Sequence, residues 1–244
     1  FRLFWLPRMD TPMHGAYMNY DFEAMVGVLV LEAQRAGAVV VGEDLGTFEP
    51  WVQDVLRDKG ILGTSVLWFE SVPPEAPRPS QQYRNLALTA VGTHDLPPTA
   101  GYLEGAHNAL RHKLGLVKES LEELNATDAV WISQVLAAAQ AEGAFDNSPL
   151  ADVDFLDRDL GEYDDVDTLV EGLTRFIAST PSAMTCTNLV DMVGDTRIQN
   201  QPGTNREMYS NWCIPLCDAS GTPVLIEDLP DVALFQRIAA ASAR

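Results

Sequence analysis

Three short apolar runs, at residues 38–41, 63–68 and 86–92, alternate with segments of helical spacing, and this alternation limits the fold more than any other feature of the sequence. Between 21 and 36, Met25, Val28, Leu29 and Ala33 recur at helical intervals, and Gly37 supplies a stop. Helical spacing resumes over 49–59 and ends at Gly60. The run Ala38-Val39-Val40-Val41 is uniformly apolar, as in a strand buried on both faces, and gives way to the polar turn Gly42-Glu43-Asp44. Strand, helix, strand, helix at this spacing predicts an α/β fold with a parallel sheet and crossover helices, either a barrel or an open doubly wound sheet. The spacing does not separate the two.

Beyond the second run lies a Pro-rich loop at 72–79, and the third run ends at Thr93-His94-Asp95. From 103 to 177 the pattern is helical, with candidates at 121–124, 130–141 and 166–177 around an acidic loop at 146–165. This stretch reads as an inserted helical subdomain. A strand at 182–190, a short extended piece at 223–226 and a helix at 232–241 complete the pattern.

The 35 acidic against 16 basic side chains give a formal charge of −19, which repels polyanions, so neither a nucleic acid nor an anionic lipid is expected as a partner. Apolar stretches such as 26–31 and 38–41 are too short to cross a bilayer, and no membrane association is expected. Cys186, Cys213 and Cys217 lack C-x-x-C spacing and the opening residues lack the layout of a secretory signal, so a reducing cytoplasm is the simplest compartment. The chain opens on an apolar, aromatic segment without Met or cap, as a piece of a longer protein would. His107 and His112 stand five apart, which does not put two ligands on one helix face, and neither a metal nor another cofactor is expected.

Two carboxylates fall where a parallel strand ends and its loop begins, the place where α/β barrels carry catalytic groups. Glu43 follows the first run, and Asp95 follows the third. Each also has a plain structural explanation: Glu43 as a solvated strand-end carboxylate or an Arg partner, Asp95 as the N-cap of a helix starting near Pro98. Trp5, Tyr17, Trp68, Tyr83 and Trp212 offer flat surfaces on which a sugar ring could stack, although core packing is the commoner fate of such residues. Trp131 fits a helix core.

The segments Val41-Gly42-Glu43-Asp44-Leu45-Gly46 and Gly92-Thr93-His94-Asp95-Leu96-Pro97-Pro98-Thr99 resemble two motifs of the amylomaltase family, the 4-α-glucanotransferases of glycoside hydrolase family 77. Phe1-Arg2-Leu3-Phe4-Trp5-Leu6-Pro7 resembles the stretch just after that family's nucleophile strand, and Gly15-Ala16-Tyr17 a short piece that follows it. Gly63-Thr64-Ser65-Val66-Leu67-Trp68-Phe69-Glu70 falls at the next strand; Asn200-Gln201-Pro202-Gly203-Thr204 and Asn211-Trp212 are similar to the late N-x-P-G-T and N-W pieces. The matches keep the family's order over nearly the whole chain.

The resemblance implies that 1–244 is part of one catalytic domain, the carboxyl-side half of a (β/α)8 barrel with a helical insertion at about 103–178 and its last strand and helix within 182–244. It implies a substrate, an α-1,4-glucan or maltooligosaccharide, and a retaining reaction through a covalent glycosyl-enzyme. Glu43 would be the general acid/base and Asp95 the transition-state stabiliser. His94, Trp5, Tyr17, Trp68, Pro202, Gly203, Asn211 and Trp212 would contact substrate. Retention needs a second carboxylate roughly 5 Å away as nucleophile, and the repulsion between the two, with partial burial, is expected to raise the Glu43 pKa. The family's nucleophile is an Asp in an R-x-D motif expected just upstream of Phe1. Arg8-Met9-Asp10 offers the same letters but follows the Trp5-Leu6-Pro7 landmark, on a loop with Pro12 close behind, and is set aside. The same residues would serve a hydrolase of the α-amylase clan, or a glucan-binding piece without chemistry.

Overall fold

A computed structural model describes residues 2–8, 11–156 and 158–243. Asp10 and Phe1 of the first motif lie outside the described residues. The chain divides into two units, Phe1–Thr64 and Ser65–Arg244.

In the first unit β1 (Arg2–Trp5) pairs antiparallel with β2 (Ala16–Asn19), Phe4 opposite Tyr17, and both strands are exposed along their length. Helix α1 (Phe22–Ala36) starts where the Asp21 carboxylate accepts the Ala24 N–H and stops at Gly37, whose φ of 62° suits a residue without Cβ. Val26 of α1 packs with Leu56 of α2 (Trp51–Asp58) and with Ile61. The expected strand at 38–41 is corrected here. Val41 makes one isolated parallel bridge to Leu62, while Val39 stays 67% exposed. The segment is hydrogen-bonded to the 62–64 stretch on one side, and among the described residues of this unit no strand pairs with its other side, so its apolar run is not buried on both faces.

Strand β3 (Gly63–Val66) leads into the second unit, where it bends into a short 3-10 turn, Leu67–Phe69. The Pro-rich loop folds into a small hairpin of β4 (Ser71–Val72) and β5 (Ala76–Pro77). Then come β6 (Ala87–Ala90), α3 (Thr99–Leu103), α4 (Ala106–Lys113), α5 (Leu121–Ala141), α6 (Val166–Ala178), β7 (Met184–Cys186), α7 (Leu189–Met192) and α8 (Ala233–Ala241). The sheet order is β3-β6-β7, with β6 and β7 parallel in register Leu88 to Met184. Strands and helices in this combination are those of an α/β protein, as expected.

The central β6 is enclosed, with Ala87 at 0% exposure, and the buried Thr89 hydroxyl donates to Ser182 at 2.7 Å. Helix α6 buries Leu169, Val170, Leu173 and Ile177, and Val170 packs with Ala100 of α3, Met192 of α7 and Leu234 and Ile238 of α8. The two helix candidates at 121–124 and 130–141 are one helix, α5, begun by a reciprocal Ser120–Glu123 capping box. The expected strand at 182–190 is shorter, because Asn188 already starts α7.

Candidate active site

The first-unit carboxylate is set by its neighbour. Asp44 is buried, and its carboxylate accepts the Thr64 N–H at 2.7 Å and the Gln53 side chain at 3.0 Å. Gly42 donates its N–H to the Leu62 carbonyl at 2.7 Å and accepts the Thr64 hydroxyl at 3.1 Å. A Cβ at Gly42 would stand 3.3 Å from a Leu56 methyl, which would have to yield slightly, and at an ordinary contact distance of 3.6 Å from the Leu62 carbonyl. Glu43, held between these two anchored residues, is exposed. Trp5 and Tyr17 are likewise open, though Arg2 lies 4.5 Å from the centre of the Tyr17 ring and Phe4 meets its edge. A cleft of about 330 Å³ is lined by Arg2, Tyr17, Phe48, Glu49 and Trp51.

The second-unit carboxylate sits on the loop after β6. Asp95 Oδ1 accepts from the Asn200 amide at 2.8 Å, and Oδ2 lies 3.5 Å from His94 Nε2. The His94 ring stands 5.6 Å from that of Trp212, which is 57% exposed. Trp212 has a φ of 60°, a left-handed backbone that costs a bulky residue about 1–3 kcal/mol, and its N–H is secured by the Gln199 carbonyl at 2.8 Å. Beside His94 and Trp212 opens a cleft of about 350 Å³, walled by Leu96, Pro98, Leu189, Ile214 and Leu216.

The loop that carries Trp212 is braced internally. Asn211 accepts the Gln201 N–H at 2.7 Å and donates to the Thr204 hydroxyl at 2.8 Å, so both ends of its amide make bonds within the loop. Pro202 and Gly203 form the exposed tip between them, with Gly203 at a φ of 81°. Behind the loop the buried Asp195 takes a bidentate pair of bonds from Arg197, at 2.9 and 2.7 Å, and this raises the Arg197 pKa.

Three expectations are corrected. Trp68 is not an open stacking surface: it is 7% exposed, packs edge-on against Tyr102, and gives its carbonyl to the half-buried Trp131 indole N–H at 3.0 Å. Tyr83 is equally enclosed, against Phe176. Asp95 does not cap a helix. Pro98 occupies the N-cap position of α3, and the Thr99 N–H is taken by Asp191, far along the chain. Asn200, Asn188 and Asp191 were not singled out by sequence reasoning as site residues; Asn200 alone carried a signal, from its place in the N-x-P-G-T motif. Among the described residues no group of His, Cys, Asp and Glu could hold a metal ion, and no helix is long and apolar enough to cross a membrane.

Polar and aromatic side chains gathered on loops beyond the ends of parallel strands are the layout of an α/β enzyme. A family model described as 4-alpha-glucanotransferase matches residues 1–219, and the chain belongs to that family. The 4-alpha-glucanotransferase of Mycobacterium tuberculosis is 45% identical over 237 residues, which are 94% of this chain and 30% of the relative. The crystal structure of amylomaltase from Corynebacterium glutamicum superposes with a TM-score of 0.93 at 53% identity, covering 100% of this chain and 34% of that one. An amylomaltase from Streptococcus agalactiae, solved in complex with acarbose, shares the fold at 16% identity and a TM-score of 0.57 over 98% of this chain and 38% of that one. The chain thus spans about a third of the length of such relatives.

Proposed function

We propose that the complete protein carrying this chain is a 4-α-glucanotransferase that moves segments of α-1,4-glucan between maltooligosaccharides with retention at the anomeric carbon. The chain would supply the carboxyl-side half of a (β/α)8 barrel, with the helices at about 103–178 as an insertion. The observation that carries this reading is the loop beyond β6. There a carboxylate steered by Asn200 stands beside a histidine and an open tryptophan, as a site for two adjacent sugar hydroxyls and a ring face requires.

In the first half-reaction, an aspartate outside residues 1–244 attacks the anomeric carbon while Glu43 gives its proton to the departing glucan oxygen. In the second, Glu43 takes the proton of the acceptor hydroxyl, whose oxygen attacks the anomeric carbon and frees the aspartate. Asp95 and His94 hold ring hydroxyls more tightly as the ring flattens, and Trp212 supplies a stacking face, with Trp5 and Tyr17 in the same role. No cofactor enters these steps. The 244 residues alone would not form the intermediate. Three free cysteines, two of them exposed, suit a cytoplasmic setting.

The test is incubation of the complete protein with maltotriose. Glucose together with longer maltodextrins is expected, and Asp95→Asn should slow the formation of both sharply while leaving a measurable residual rate. Reducing sugar without longer products would point to a hydrolase, and unchanged turnover by Asp95→Asn would remove Asp95 from the site.

A further inference from the structure

One buried carboxylate outside the substrate-facing groups is tied to the loop that carries Asp95. Asp191 of α7 is 3% exposed, and both of its oxygens reach Thr99: Oδ1 accepts the Thr99 N–H at 2.6 Å, and Oδ2 the Thr99 hydroxyl at 3.0 Å. Asn188, at the N-cap of the same helix, donates to the Gly92 carbonyl at 3.1 Å. Gly92 and Thr99 are the two ends of the segment that holds His94 and Asp95. Between those ends the segment is held by a turn bond from the Leu96 N–H to the Thr93 carbonyl, a bond from the Asp95 N–H to the Thr93 hydroxyl, and the bond between Asp95 and Asn200.

We propose that Asn188 and Asp191 are positioning residues that grip the Gly92–Thr99 loop at both ends and so fix where Asp95 meets the sugar ring. This rests on the transglycosylase reading above. Asp191 touches no substrate; it acts through Thr99. A carboxylate stripped of water is costly, and an apolar residue would serve packing as well, so its presence here accords with a geometric role. Asn200 and this clamp divide the work. Asn200 turns the Asp95 carboxylate, and the clamp sets the backbone from which it projects.

A purely structural bond and a positioning bond predict different kinetics. In the complete enzyme, Asp191→Ala and the near-isosteric Thr99→Val should lower kcat about tenfold or more while KM for maltotriose changes little, because the clamp supports an interaction that strengthens only in the transition state. Thr99→Ser, which keeps both bonds, should restore the rate. The deciding measurement is a double-mutant cycle with Asp95→Asn, as groups acting through one another are not additive. Once Asp95 is neutralised, Asp191→Ala or Thr99→Val should add little further loss. Losses that multiply independently, or a folded Thr99→Val enzyme with unchanged kcat, would overturn the proposal. If Asp191→Ala fails to fold, Thr99→Val and Asn188→Ala carry the same cycle. Should Asp95→Asn alone leave the rate intact, the functional reading itself fails, an outcome distinct from failure of the clamp.

Discussion

The two carboxylates that carry the proposed chemistry are held in different ways. Asp95 follows β6, a strand hydrogen-bonded on both sides, and its loop is fastened from distant parts of the chain by Asn188, Asp191 and Asn200. Glu43 follows a segment bonded on one side only, and its turn hangs on local partners, chiefly Asp44 with Thr64 and Gln53. A stabilising group that must match a strained ring benefits from a rigid mount, whereas an acid/base that serves first a leaving oxygen and then an acceptor tolerates a simpler one. The difference implies that the Glu43 turn depends chiefly on one residue, Asp44, whereas the Asp95 loop has separate ties at its two ends and at the carboxylate itself.

That contrast can be broken by substitution. Asp44→Ala leaves the buried Thr64 N–H without its acceptor and should cost about 1–3 kcal/mol of stability together with much of the activity, read by thermal melting and by turnover of maltotriose. Retention of both would mean that the turn has another anchor. Gly101→Ala probes the mount of α3 behind the Asp95 loop. The added methyl would stand 2.3 Å from the Thr196 carbonyl oxygen, a backbone atom with little freedom to yield, and a loss of about 1–3 kcal/mol in the melt is expected. Asn200→Ala should be milder, a several-fold fall in kcat, about 1 kcal/mol, with an unchanged melting temperature, since Asp95 is exposed and keeps His94 beside it.

A separate effect concerns pH. Burial pushes the Asp191 pKa up to about 6, against the opposing hydrogen bonds from Thr99 and Asn188. The native state therefore keeps this proton at pH values where an unfolded aspartate, with a pKa of 3.8, has released it. The stability this adds is complete below the unfolded value and is lost as the pH rises through about 6. The stability of the parent protein minus that of Asp191→Asn should accordingly be larger at pH 4 than at pH 7; a constant difference across that range would show that the carboxyl does not titrate there.

How much of this was legible in the sequence depended on how local each cause was. The run at 86–92 became a strand because its alanines and Thr89 are enclosed, and the position of Asp95 after it followed. The run at 38–41 looked more apolar still, yet with a partner on one side only its valines stay partly exposed; an apolar run reports the burial it can use, not the neighbours it has. Trp68 read as a stacking face because it flanks a motif, whereas the turn after β3 carries it into the core against Tyr102. The N-cap alternative weighed for Asp95 beside its catalytic reading rested on Pro98 following it. The true partner of the Thr99 N–H is 92 residues away, and that of Asp95 is 105 residues away, separations at which spacing rules carry no information.

The most direct test of the roles assigned to the two carboxylates is Glu43→Gln in the complete enzyme, compared on maltotriose and on α-glucosyl fluoride with mass spectrometry of the protein. Removing the proton should slow maltotriose turnover on the order of 100 to 10,000-fold. Fluoride leaves with little protonation, so its first step should be largely spared and a covalent glycosyl adduct should accumulate. Equal losses on both donors with no adduct would contradict the account and leave Glu43 a structural carboxylate.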